Sequence, residues 1–167
     1  MNDSPSKQDA LEIRIRSGHV DDLPAINNVI EAAVMGWSLP ERVKRLSLPA
    51  YRYDTIDLDH LDMAVAQAGE AIIGVATWEA ADPAEVPAHR EAQLLHGLYV
   101  HPDWQRRGVG RLLLEAVIEA AQAEGADGLI VKAQPDARGF FSAAGFEPVP
   151  VVDGERDYAH RFWRALG

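Results

Sequence analysis

The sequence predicts one α/β domain, on three observations. Residues 94–100 read as a strand, 108–124 as an amphipathic helix and 129–131 as a buried strand. Packed into about forty residues, these make a βαβ unit with a parallel pair and a right-handed crossover. Residues 63–68 and 71–79 are strand-like runs meeting at Gly69-Glu70, a spacing that suits a tight antiparallel hairpin. With 167 residues, 47% of them hydrophobic, and no Pro/Gly/Ser-rich linker, the chain can build one core and shows no seam for a second.

Taken in order, residues 1–10 are polar and read as a frayed tail, neither signal peptide nor anchor, which leaves the domain at 11–167. Leu11, Ile13 and Ile15 alternate with Glu12, Arg14 and Arg16, the pattern of a half-exposed strand. After Ser17-Gly18, Asp21 and Asp22 suit a helix's first turn and Pro24 is tolerated there. Leu23, Ile26, Ile30, Ala33 and Val34 then share one face, so a helix runs to about Met35. Residues 36–59 carry Pro40, Pro49 and a basic-apolar stretch at 41–46, and predict a second short helix plus an irregular connection. Trp37, Tyr51 and Tyr53 are read first as packing of that segment and second as a pocket lining. After the hairpin, Pro83 and Pro87 break residues 80–92 into a loop long enough to serve as a lid.

His101-Pro102-Asp103 ends the strand at 94–100. In the helix that follows, Val109, Leu112, Leu113, Ala116, Val117, Ala120 and Ala121 form the apolar stripe. Arg111, Glu115, Glu119 and Gln122 form the solvated side, and Gly125 is the stop. Leu129, Ile130 and Val131 suit a strand buried on both faces. A short helix at 135–144 opens with Pro and closes at Gly145. Residues 147–152 and 157–164, around Asp153-Gly154, read as a closing antiparallel hairpin.

The net charge of −10 argues against nucleic acid and anionic membranes as partners, and fits a cationic substrate such as an amine, or solubility alone. No apolar run approaches a membrane span, and a cytoplasmic location is expected. There is no cysteine, which excludes disulfides, thiolate chemistry and Cys-based metal sites. His19, His60, His89, His101 and His160 lack metal-ligand spacing, so no metal is expected.

The chemistry concentrates at Gln105-Arg106-Arg107-Gly108-Val109-Gly110, between strand and helix. Glycines let a ligand approach the backbone, the helix start offers unpaired amides and a positive dipole end, and two arginines add charge; this is an anion site suited to phosphate. The stretch lacks the third glycine of a dinucleotide fingerprint and the Gly-Lys-Ser/Thr ending of a P-loop. It resembles instead the Gln/Arg-x-x-Gly-x-Gly/Ala motif of the Gcn5-related N-acetyltransferase (GNAT) superfamily. Leu98-Tyr99-Val100-His101-Pro102 is similar to the family's strand ending, and Phe140-Phe141-Ser142-Ala143-Ala144-Gly145-Phe146 to its Phe-Tyr-x-x-x-Gly-Phe segment. The resemblance covers about residues 11–166.

The resemblance implies a mixed, mostly antiparallel sheet of about seven strands with about four helices. Its fourth and fifth strands, here 94–100 and 128–133, start paired and splay apart. By resemblance, Leu98, Tyr99 and Val100 offer backbone to the pantetheine arm of acetyl-CoA. Gln105, Arg106, Arg107, Gly108, Val109, Gly110 and Arg111 hold the pyrophosphate, Gln134 stands where relatives have an Asn, and Phe141 packs on the arm. The implied reaction is direct transfer of an acetyl group to a primary amine, with a small-molecule acceptor favoured over a peptide. The expected base is His96, an imidazole placed by strand alternation on the face of Leu98; Glu79 is the second candidate. The family's general-acid Tyr is Phe141 here. Ser142, Tyr99 or a water stands in, the thiolate leaves unassisted, or the protein binds acyl-CoA without efficient turnover. Arg156 to Arg164, aromatic and basic, suit cross-strand pairing, with a substrate wall or a homodimer edge as the alternative use.

Overall fold

A computed structural model describes residues 12–87, 90–155 and 157–167. The expected tail at 1–10, Leu11, His89 and Arg156 lie outside the described residues. The elements are β1 (Ile13–Ser17), α1 (Leu23–Met35), α2 (Glu41–Tyr51), α3 (Thr55–His60), β2 (Asp62–Ala68), β3 (Ala71–Ala80) and β4 (Ala92–Val100). They continue with α4 (Val109–Ala123), β5 (Gly128–Lys132), α5 (Arg138–Ala143), β6 (Glu147–Pro148) and β7 (Arg161–Ala165). The seven strands lie in the order β1-β2-β3-β4-β5-β7-β6. Only β4 and β5 pair in parallel; the others are antiparallel. This is the mixed sheet the sequence predicts, with five α-helices among the described residues rather than about four.

Each face of the sheet carries its own core. On one, α4 packs Val109, Leu113, Leu114, Val117 and Ala121 against Ala76, Leu95, Leu129 and Val131, with Phe141, Phe146 and Phe162 closing the end. The buried face of α4 includes Leu114 and leaves Leu112 at the surface, which corrects the expected stripe at those two positions. On the other face, α1 presents Leu23, Ile26, Val29, Ile30, Ala33 and Val34 to Val65, Val75 and Tyr99. Each Leu, Ile or Val side chain among these contributes about 1.5–3 kcal/mol when fully buried.

The 36–59 segment is more regular than expected. α2 extends to Tyr51 despite Pro49, and the Lys44 ammonium donates to the Met35 and Trp37 carbonyls at 2.7 and 3.3 Å, tying α2 to the end of α1. α3 was not predicted. Asp54 and Asp57 close a two-way capping box: the Asp54 carboxylate accepts from Ile56 and Asp57 amides, and the Asp57 carboxylate from the Asp54 amide. The closing hairpin is shorter than expected, since Pro148 and Pro150 lack donors and the Asp157 carboxylate takes the Val152 and Asp153 amides into a turn. Among the described residues no helix is long and apolar enough to cross a membrane.

Candidate active site

β4 and β5 pair only from Ala92 opposite Gly128 to Leu95 opposite Val131. β5 then ends at Lys132, while β4 continues to Val100 with β3 as its strand partner and the Val100 carbonyl accepting from Gln105 Nε2 at 3.5 Å. The backbone of 96–100 therefore has a free edge toward β5, as a splay requires. A cleft of about 860 Å³ opens there. Its walls include 95–99 from β4, Val131 and Lys132 from β5 with Ala133 and Gln134 just after it, Gln105 and Arg106, Phe141, and Trp37, Tyr51, Tyr53 and Asp136.

Of the expected site residues, His96, Leu98, Tyr99, Gln105, Arg106, Gln134 and Phe141 line this cleft. Val100, Arg107, Gly108, Val109, Gly110 and Arg111 lie beyond its lining, in the strand end and the turn that opens α4. There the first backbone bond runs from the Leu112 amide to the Gly108 carbonyl, so the amides of Val109, Gly110 and Arg111 have no partner in the helix. Gly108, the N-cap, sits at φ 81° and offers no capping side chain; Arg106 is held in the same left-handed region at φ 62°. The Arg107 guanidinium lies 5.0 Å over the Trp104 ring, and Arg106 and Arg111 are exposed. An uncapped helix start flanked by three cations fits a pyrophosphate.

The alternation that puts His96 on the face of Leu98 fails. Thr77 pairs with Gly97 and Trp78 with Leu95, so His96 is the extra residue of a β-bulge. Leu98 packs on the α4 side, whereas the His96 ring meets the Tyr53 hydroxyl, whose own ring belongs to the opposite cluster. Glu79 stands opposite Leu94 and does not line the cleft. Neither does Ser142, which is exposed. Phe141 is buried among Phe140, Phe146 and Phe162 and closes the floor without a proton to give.

Trp37, Tyr51 and Tyr53 fulfil both readings: they pack with the α1-side core and line the cleft. Trp37 meets Tyr51 edge-on and lies nearly parallel to Tyr99. Gln134 Nε2 donates to the Tyr51 hydroxyl at 3.4 Å, and burial pushes Tyr99 well above the usual phenol range. Burial likewise pushes Tyr53 up to about 12. Two contributors went unread in the sequence. Thr77 hides in an apolar strand, and Asp136 accepts from the Ser38 amide at 3.1 Å across 98 positions of sequence. The loop after β3 is held by Lys132 and Glu85 at 2.6 Å, and none of its described residues lines the cleft.

A sequence model described as the acetyltransferase (GNAT) domain matches residues 43–160. Among curated protein sequences there is no match. Among solved structures, the PaiA N-acetyltransferase of Thermoplasma acidophilum in complex with coenzyme A superposes with a TM-score of 0.72 at 15% identity, covering 93% of this chain and 99% of that one. The ribosomal-protein-S18-alanine N-acetyltransferase of Escherichia coli gives 0.62 at 19%, covering 93% and 94%. An aminoglycoside N-acetyltransferase, AAC(6')-Iy in complex with CoA, gives 0.65 at 20%, covering 89% and 96%. At these identities the structures establish likeness of fold.

Proposed function

Because the chain belongs to the GNAT acetyltransferase family, we propose that it moves the acetyl group of acetyl-CoA to the primary amine of a small molecule, directly, in a ternary complex. The observation that carries this reading is the continuity of the free β4 edge at 96–100 with the uncapped start of α4. An extended pantetheine arm would add to that edge as a surrogate strand along Leu98, Tyr99 and Val100. Its pyrophosphate would rest on Gln105 to Arg111, with Gln134 and Phe141 against the arm. Acetyl-CoA, when bound, supplies an activated acyl group and a thiolate leaving group.

The chain's own part is to orient, polarise and manage protons. Backbone amides near Val100 polarise the acyl carbonyl. His96 is the only imidazole on the described lining and is the ring placed to hydrogen-bond the reacting atoms. Whether it accepts or donates depends on which ring nitrogen carries the proton at rest. With no cysteine, a thiol acyl-enzyme has no nucleophile, so the acyl group passes straight to the amine.

A small acceptor is favoured because the bond between the Ser38 amide and Asp136 bridges the α1–α2 connection and the turn after β5, closing one side of the mouth. The Asp136 carboxylate and the faces of Trp37 and Tyr51 suit an ammonium group. Phe141 supports a second reading, an acyl-CoA-binding module with weak turnover. Thiol release from acetyl-CoA across a panel of small amines and N-terminal peptides separates them. Release above background with a small amine, with intersecting initial-rate lines, is the expected result. Acetyl-CoA binding without release on any amine supports the binding module, and release with peptides alone overturns the small acceptor.

A further inference from the structure

Three polar side chains form a chain that ends on His96. Tyr53, on the extended link between α2 and α3, is pinned by its backbone to both ends of the Asn27 amide at 2.9 Å. Its ring is buried, and its hydroxyl sits where a Cβ at residue 97 would be, 2.5 Å from that position, so only glycine lets it through. The hydroxyl lies 2.7 Å from Thr77 Oγ1 and 3.3 Å from His96 Nδ1. The bulge at His96 turns the ring onto this contact.

Counting hydrogens fixes the direction of the chain. Thr77 is fully buried, and among the described residues its hydroxyl has one partner, Tyr53. If Tyr53 donated to Thr77, the Thr77 proton would be left buried without an acceptor, a costly arrangement. With Thr77 donating to Tyr53 and Tyr53 donating to His96 Nδ1, every hydrogen is used. The Nδ1 lone pair is then occupied, and the ring proton stands on Nε2, for which the described residues offer no hydrogen-bond partner. A neutral imidazole in this tautomer offers the cleft a donor.

We infer that Thr77 and Tyr53 are positioning residues that hold His96 as the Nε2–H tautomer, so that His96 serves the acyl transfer as a hydrogen-bond donor rather than as the resting base. The catalytic role rests on the acetyltransferase reading, while the tautomer stands on the hydrogen-bond count alone. The role is the one left open by Phe141: a donor aimed at the atom on which negative charge gathers. The ring gives up no proton in the step. It stabilises charge, and the amine's proton leaves to water.

Two measurements test it. Long-range ¹H–¹⁵N NMR of the free protein should show His96 protonated at Nε2, with Tyr53→Phe converting it to a mixture of tautomers. An Nδ1–H signal in the wild type overturns the inference whether or not any amine is acetylated. In turnover assays, His96→Ala should lose on the order of 10²–10³-fold, as for removal of one such donor. His96→Gln, whose amide nitrogen can replace the Nε2 donor but cannot act as a base, should stay within about tenfold of wild type. Equal loss in both variants restores the base role and sinks the donor. Wild-type protein inactive on every amine would leave the NMR result standing and defeat only the acetyltransferase premise.

Discussion

Asp22 shows how one residue can exceed its sequence reading. Its position suits a helix-dipole charge, yet it accepts two bonds from Arg16 at 2.8 and 2.9 Å and one from the His19 amide. Arg16 also donates to Gln67, so a side chain expected to face solvent joins β1, β2 and the start of α1. The Arg16 bonds hold the Asp22 carboxyl down to about 2. Its folded value is lower than its unfolded one, so its stabilisation is complete above about pH 4 and disappears as pH falls toward 2. Asp22→Asn should therefore lower the urea midpoint at pH 7, and the two proteins should converge near pH 2. Parallel curves across that range would show that the pair contributes nothing through ionisation.

At the scale of elements, the start of α4 sets stability against binding. A non-glycine residue in the left-handed region costs about 1–2 kcal/mol, and Arg106 bears that cost at φ 62°. Arg106→Gly should keep or raise the melting temperature while weakening CoA several-fold, since one cation leaves the dipole end. A variant that melts lower would show that Arg106 makes stabilising contacts that outweigh the strain. At Gly108, φ 81° with open space around the missing Cβ, Gly108→Ala should cost about 1 kcal/mol from backbone alone, read by chemical denaturation. A much larger loss would indicate a packing role. The elements legible in the sequence are those whose period or punctuation is local: α1, α4, the β2–β3 hairpin and the buried β5. α3 was missed although Asp54 and Asp57 spell a capping box, because Pro49 and the aromatics drew the segment toward irregularity. The bulge at His96 left no local mark, since an inserted residue changes register without changing composition.

For the whole molecule, the proposed phosphate-binding half of the site rests on local sequence signals and the proposed acceptor half does not. Gln105 to Gly110 would act through backbone and charge within one turn, whereas Ser38 meets Asp136, and Tyr51 meets Gln134, only through tertiary folding. Those two contacts and the Lys132–Glu85 pair join β5 and its following turn to the rest of the molecule on the cleft side. The strands themselves share only 92–95 with 128–131. A ligand lying in the splay would therefore bridge two parts of the sheet that are otherwise joined at one end and by the α4 core. At 100 times its Kd, CoA should stabilise the fold by about 2.7 kcal/mol. For a domain of this size that corresponds to a rise in melting temperature of about 5–11 °C. Hydrogen exchange adds the location: amides along 96–100 and at the start of α4 should slow together, because one ligand occupies both. Protection at the helix start alone would indicate a phosphate site without a pantetheine channel, and an unchanged melting temperature would remove CoA from the mechanism.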